Sequence, residues 1–346
     1  MRRRRQSRRS GGQLIMIVLV LLLIGGTGYG IYSLLPDNEE EEFVDYYKKP
    51  IGEKGTYIHD SHYDYTELTK SITAGCGNNY RKIRAIYQWI CKNIEYDVSY
   101  SIHTADSCYA EKKGVCQAYC ELFYQIAKAA GVSAEIIGGQ SKDQDGEIGR
   151  HAWIFAYTRE NYGMLMDPTW GAGSVNDGKF SRSEDCWSWF NVHPEWMILS
   201  HFPEEESYQL LTNPLSMEEF VSLAPVNSVW IEYGLDAHLL YEKIRNGELD
   251  MLKFYGRGKG QKLKIVSIPM TKRLMTGETY TFRFIPESGK KWVIINGEKW
   301  YNDWQISDDG VYSITIKPTF IGSLKLSVQL EADGPYWSCL EYEVIN

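Results

Sequence analysis

The pattern of hydrophobic and polar positions divides the chain into four stretches. From Leu14 to Leu35 no charge interrupts an apolar run, which at 1.5 Å per residue reaches ~33 Å, enough for a helix to cross a ~30 Å hydrocarbon layer. Asp37–Glu42 then opens a polar stretch with no strong apolar pattern before Tyr57. Next come two amphipathic helical patterns. Ile83, Ile86, Tyr87, Ile90 and Ile94 form one within Tyr80–Ile94. Val115, Tyr119, Leu122, Phe123, Ile126 and Ala127 form the other, after Gly114 and stopped at Gly131. His151–Tyr157 alternates large and small residues as a strand does, Arg159–Gly163 makes a turn, and Met164–Asp167 returns until Pro168.

In the last third, Ser216–Phe220 and Asp236–Ile244 have helical character. After them the period shortens to two. Leu263–Ile268, Thr279–Ile285, Trp292–Ile295, Val311–Ile316, Leu324–Leu330 and Trp337–Val344 are predicted strands, separated by turns at Asn296-Gly, Asp309-Gly and Asp333-Gly-Pro. Short strands at regular spacing are the pattern of a β-sandwich.

Charge sharpens this picture. Six arginines and no acid precede Asp37, so the chain's net −8 leaves the rest at −14, six below the total. The arginine cluster is expected to stay cytoplasmic and the remainder to lie on the other side of the membrane. Cleavage after a signal-type segment is the competing reading, weakened by the apolar character resuming at Tyr29–Leu35. The acidic remainder has no basic patch, which excludes nucleic acid as a partner class. Seven cysteines leave at least one thiol outside any set of disulfides.

Cys116 falls in the first turn of the second helix, where unsatisfied N–H groups and the helix dipole favour a thiolate. If the two strands after it pair as a hairpin, Asp167 lies opposite His151 or Trp153, within reach of an imidazole–carboxylate hydrogen bond. A nucleophile, a base and an orienting carboxylate then follow in chain order. Taken singly, each has a plain structural reading: a buried cysteine, a satisfied histidine, an aspartate that starts a turn. Cys120, one turn on, reads as a small buried residue. Asp143-Gln-Asp145-Gly-Glu147 lacks the ligands of a calcium loop and reads as a polar turn. No cysteine or histidine spacing suggests a metal site, and no metal or cofactor is expected.

Ile86–Ile90 with Asn93–Asp97, Gly114-Val-Cys-Gln-Ala-Tyr119, His151-Ala-Trp153 and Asp167-Pro-Thr-Trp170 together resemble the transglutaminase-like superfamily, over about residues 57–212. His193–Trp196, His201–Pro203 and Tyr208–Leu211 resemble more narrowly its kyphoscoliosis-peptidase branch. The resemblance implies an α+β fold, a papain-like transglutaminase core followed by an all-β immunoglobulin-like sandwich. It also implies a catalytic triad on Cys116, His151 and Asp167, with Trp153, Trp170 and Gln117 as candidate substrate contacts. Calcium-dependent transglutaminases carry Trp directly after the nucleophile. Here Gln117 stands in that place, so hydrolysis and amine transfer are both open.

The expected organisation is a basic cytoplasmic tail (1–13), a membrane anchor (14–35), an acidic linker (36–56), a catalytic domain (57–212) and a sandwich (213–346). The expected function is that of a single-pass, extracytoplasmic thiol enzyme acting on protein or peptide amides. The alternative is a non-catalytic binding scaffold on the same fold.

Overall fold

The computed structural model describes residues 47–49, 58–184, 186–226, 230, 233–247, 253–255, 263–286 and 290–346. The expected anchor at 14–35 lies outside them. Among the described residues no helix is long and apolar enough to cross a membrane. The chain forms two compact units, one of residues 41–256 with 270–273, the other of 257–269 and 274–346. The expected border after residue 212 falls inside the first unit. The helices Met217–Ser222 and Ala237–Arg245 belong to that unit and do not open the sandwich.

In the first unit, helices α1 (Asn79–Asn93) and α2 (Cys116–Ala129) pack on an antiparallel sheet. Its strands are β1 (Tyr47–Lys48), β2 (Ala134–Lys142), β3 (Ile148–Arg159), β4 (Tyr162–Met166), β5 (Phe190–Val192) and β6 (His201–Pro203), in the order β1-β4-β3-β2-β6 with β5 also on β4. α1 starts where the Asn78 side chain accepts from the Arg81 N–H, a side-chain cap for an otherwise unsatisfied donor. Its apolar stripe, with Ile83, Ile86, Tyr87 and Ile90 all fully buried, meets Leu122, Phe123 and Ile126 of α2. Ala152, Ile154 and Ala156 of β3 join this core, while the alternate residues Trp153, Phe155 and Tyr157 are buried on the opposite face.

Two features of this sheet place the chemistry. β3 and β4 pair Ile154 with Met166, so the same register continued one step sets Trp153 opposite Asp167 and His151 on the diagonal. β2 is flanked by β3 and β6, and its Gly139 lies opposite both His151 and Pro203. A Cβ there would stand 2.2 Å from the Phe202 carbonyl oxygen and 2.6 Å from the Trp153 ring. Only glycine lets β6 approach so closely.

The second unit is built from β7 (Leu263–Ser267), β8 (Tyr280–Pro286), β9 (Lys291–Asn296), β10 (Lys299–Tyr301), β11 (Gln305–Ile306), β12 (Tyr312–Ile316), β13 (Gly322–Gln329) and β14 (Tyr336–Ile345). One sheet carries β14-β13-β9-β10, the other β7-β8-β12-β11, and every neighbouring pair is antiparallel. Phe282 meets Tyr342 and Phe284 meets Trp292 between them, with ring centroids 5.5 and 5.1 Å apart.

Candidate active site

Cys116 is the first residue of α2, and the approach to it is braced. Glu95–Tyr96 runs parallel to Lys113–Gly114, and the Val115 N–H donates to the Ile102 carbonyl. Beside them Asp97, buried, accepts from the N–H groups of Ser99, Ser101 and Ile102 and from both serine hydroxyls. Burial works against its charge, but these donors outweigh burial and hold the carboxyl well below the usual range. No side chain caps the start of α2. Its first N–H groups therefore remain able to stabilise an anion at the sulfur or at a neighbouring oxygen.

His151 enters from β3. Its Nε2 lies 2.7 Å from Asp167 Oδ2, so the hydrogen bond between the ring and the Cys116 thiol falls to Nδ1. Burial alone would lower the imidazole. The charge of Asp167, its hydrogen bond and the Cys116 interaction prevail and raise His151 to about 10. Burial likewise pushes the Cys116 thiol up, but the hydrogen bond and charge of His151, with the Ala152 backbone N–H, bring it below its ordinary value. The two shifts favour a thiolate–imidazolium pair. Cys120 shows the contrast, since it is fully buried without such a partner and burial pushes its thiol far up.

Asp167 has no exposed surface. It is the cap of a short helix, α3 (Pro168–Ala172): Oδ1 accepts from the Thr169 and Trp170 N–H groups at 2.8 and 3.1 Å. Pro168, expected only to halt the strand, is the first residue of this helix, where its missing N–H costs nothing. Burial would raise the Asp167 carboxyl, yet the charge and hydrogen bond of His151 and a bond from His201 keep it well below the carboxylate range.

That second histidine was not among the expected site residues. His201, on β6, places Nε2 3.1 Å from the same Oδ2 and Nδ1 2.8 Å from the Ser200 hydroxyl. It lies 34 residues beyond Asp167, and only the pairing of β6 with β2 brings it in. The one signal in the sequence was its place in the His201-Phe-Pro203 segment of the family resemblance. His151, Asp167 and His201 present ligand-type atoms within 4.8 Å of one another. The two nitrogen–oxygen separations, however, are hydrogen-bond lengths to a single oxygen, which describes a proton network.

Of the expected substrate contacts, Trp153 is buried and stacks beside His151 at 6.2 Å, with its edge arrangement against His201 at 5.1 Å. Trp170 is half-buried, 5.6 Å from the His151 ring and 4.5 Å from that of His201. Gln117, also half-buried, donates to the buried Glu121 at 2.9 Å. The Asp143–Glu147 segment is a turn in which Asp143 Oδ1 accepts from the Asp145 and Glu147 N–H groups.

A family model described as the transglutaminase-like superfamily matches residues 66–168, a span that includes Cys116, His151 and Asp167. Kyphoscoliosis peptidase of Mus musculus is 31% identical over 188 residues, 50% of this chain and 28% of that protein. The Homo sapiens protein of the same name is 28% identical over 203 residues, 54% of this chain and 29% of that one. The matched region thus spans under a third of these relatives' length. Red sea bream transglutaminase overlays 90% of this chain and 79% of its own at 10% identity and a TM-score of 0.27, too loose to carry an argument. Residues 66–168 thus carry a domain of the transglutaminase-like superfamily, and the similarity of the chain to these relatives supports its kyphoscoliosis-peptidase-like branch.

Proposed function

We propose that this protein is a thiol enzyme that transfers acyl groups from protein or peptide amides. In this reading Cys116 is the nucleophile, His151 the general base and acid, and Asp167 the orienting carboxylate. The observation that carries it is the continuous relay from a helix-start thiol through His151 to a buried, fully hydrogen-bonded Asp167. The Cys116 sulfur attacks the amide carbon. The carbonyl oxygen becomes an oxyanion, stabilised by N–H groups at the start of α2, the Cys116 N–H foremost. His151, having taken the thiol proton on Nδ1, returns it to the departing amine or ammonia as the C–N bond breaks. Water then releases the acid, or a primary amine takes the acyl group. The half-buried Trp170 is the candidate wall of the acyl pocket. Trp153, being buried, supports the histidines from below.

The reading also includes a papain-like core, an immunoglobulin-like second unit and an uncleaved anchor at 14–35. That anchor would hold both units outside the cytoplasm, facing protein or peptide substrates there. The family match and the antiparallel two-sheet unit support the first two, and the span length and arginine cluster support the third.

Ammonia release by the full chain from a library of glutamine-containing peptides, with and without a primary amine, tests the activity. Peptide-bond cleavage is followed in the same reactions. Turnover that disappears in Cys116→Ala supports the enzyme. Amine incorporation marks transfer, and ammonia or cleavage without it marks hydrolysis. Absence of every product, or products undiminished in Cys116→Ala, contradicts it.

A further inference from the structure

His201 has no part in the relay from thiol to carboxylate, yet it is buried and shares its acceptor oxygen with the base. Its protonation follows from its neighbours. Asp167 is held ionised and can only accept, so each ring nitrogen facing it must carry a proton. Burial keeps His201 neutral at pH 7, its value lowered to about 4 despite the carboxylate. Its one proton is therefore on Nε2, and its bare Nδ1 accepts from the Ser200 hydroxyl. Ser200 thus selects the tautomer that donates to Asp167.

The mechanical consequence is that both oxygens of Asp167 are fixed from different sides. Backbone N–H groups of α3 hold Oδ1, and β6 holds Oδ2. His201 is itself enclosed, with the rings of Trp170, Trp189 and Trp153 at 4.5, 5.1 and 5.1 Å. The carboxylate cannot rotate to follow a moving imidazole. We propose that His201 is a positioning residue for His151: by donating Nε2–H to Oδ2 it locks the carboxylate that aims Nδ1 of the base at Cys116. It does so without adding charge, so the carboxylate remains available to stabilise the His151 imidazolium. The inference rests on the reading of Cys116 as nucleophile given above.

The test follows Cys116 alkylation by iodoacetamide across pH 4–9 in the full chain, with peptide mapping and thermal melting alongside. His201→Leu keeps the bulk and removes the donor, whereas His201→Gln can still donate from its amide. The Leu variant is expected to lose about tenfold or more of the alkylation rate at pH 7, a size typical of lost outer-shell orientation. Its pH midpoint is expected to move toward that of an ordinary thiol, and the Gln variant to recover most of the rate. A Leu variant with the wild-type rate and midpoint overturns the inference, as does a Gln variant as impaired as the Leu variant. Should His201→Leu fail to fold, Ser200→Ala replaces it: a displaced midpoint with unchanged melting is expected, and an unchanged midpoint overturns the idea. A reactive wild-type thiol that ignores His201→Leu defeats this inference alone. An ordinary wild-type thiol defeats the reading of the site, and this inference with it.

Discussion

The two units bury different chemistry. In the first, among the described residues, Lys49, Asp97, Glu121, Glu135, Lys142, His151, Asp167 and His201 are all at most 9% exposed. In the second, the buried polar residues described are Asn296 and Ser327, set among Phe282, Phe284, Ile314, Leu326, Leu340 and Val344. Burying a charge is costly unless it is paired and hydrogen-bonded, so the first unit must satisfy each of its ions by geometry, while the second needs only volume and alternation. The difference shows where the fold is constrained beyond stability. A sandwich can be made from apolar alternation alone, but a base aimed at a thiol requires fixed polar groups in a dry place.

The comparison is broken most severely at Asp167. Asp167→Ala leaves His151, His201 and two helix N–H groups without their acceptor. Losing one partner of a buried pair should cost about 3–5 kcal/mol, measured by denaturant unfolding of the first unit. Next comes Lys142, whose ammonium reaches from β2 to the carbonyls of Phe220, Val221 and Leu223 and so closes the end of helix Met217–Ser222. Lys142→Met should cost about 2 kcal/mol and raise hydrogen exchange in that helix before the sheet is affected.

Acid and base sharpen the contrast. His201, lowered to about 4 from an unfolded value near 6.5, contributes stability present above pH ~6.5 and lost as pH falls toward 4. Cys116 and His151 must be counted together, because one is lowered and the other raised to about 10. The lowering of Cys116 makes its contribution grow with pH up to the unfolded thiol's ~8.5, whereas the raising of His151 makes its contribution decline from the unfolded imidazole's ~6.5 upward, so the two oppose each other between those values. Above ~8.5 the folded pair keeps a proton that the unfolded chain has lost, and stability falls toward pH 10. Each proton contributes a slope of at most about 1.4 kcal/mol per pH unit. Melting of the first unit should rise with pH toward ~6.5 and fall above ~8.5, whereas that of the second should be nearly flat from pH 5 to 9. A flat first unit would mean the relay is not charged as described.

The mildest effect is expected in the sandwich. Asn296 ties the turn after β12, with Nδ2 donating to the Phe320 and Ser323 carbonyls and Oδ1 accepting from the Thr319 and Phe320 N–H groups. Phe320 is exposed, so water can replace much of this network. Asn296→Ala should cost about 1 kcal/mol and leave Cys116 reactivity unchanged.

What the sequence made legible was local. The pattern over Tyr80–Ile94 marks α1 to within a residue at each end, and Gly114 and Gly131 bracket α2, because helical periodicity and glycine stops act over a few residues. The six long strands of the sandwich follow from alternation in the same way. The hairpin restricted Asp167 to two positions opposite β3, and the register takes the one opposite Trp153. What escaped was non-local. Alternation cannot show that β6 docks on β2 through Gly139, and without that pairing His201 is one more histidine. Nor does the helical character of Ser216–Phe220 reveal that Lys142, which donates to the Leu223 carbonyl 81 residues on, holds the end of that helix. The shorter strands Lys299–Tyr301 and Gln305–Ile306 were missed because two or three residues carry no period.

The most direct measurement compares alkylation of all the cysteines by iodoacetamide from pH 4 to 9, in the wild-type full chain and in His151→Ala. Cys116 is expected to react fastest, with a midpoint below the ~8.5 of a free thiol, and to lose that advantage when the imidazole is removed. A Cys116 that reacts no faster than its neighbours, or whose reactivity survives His151→Ala unchanged, would contradict the thiol–imidazole pair and leave the binding scaffold as the better description of this fold.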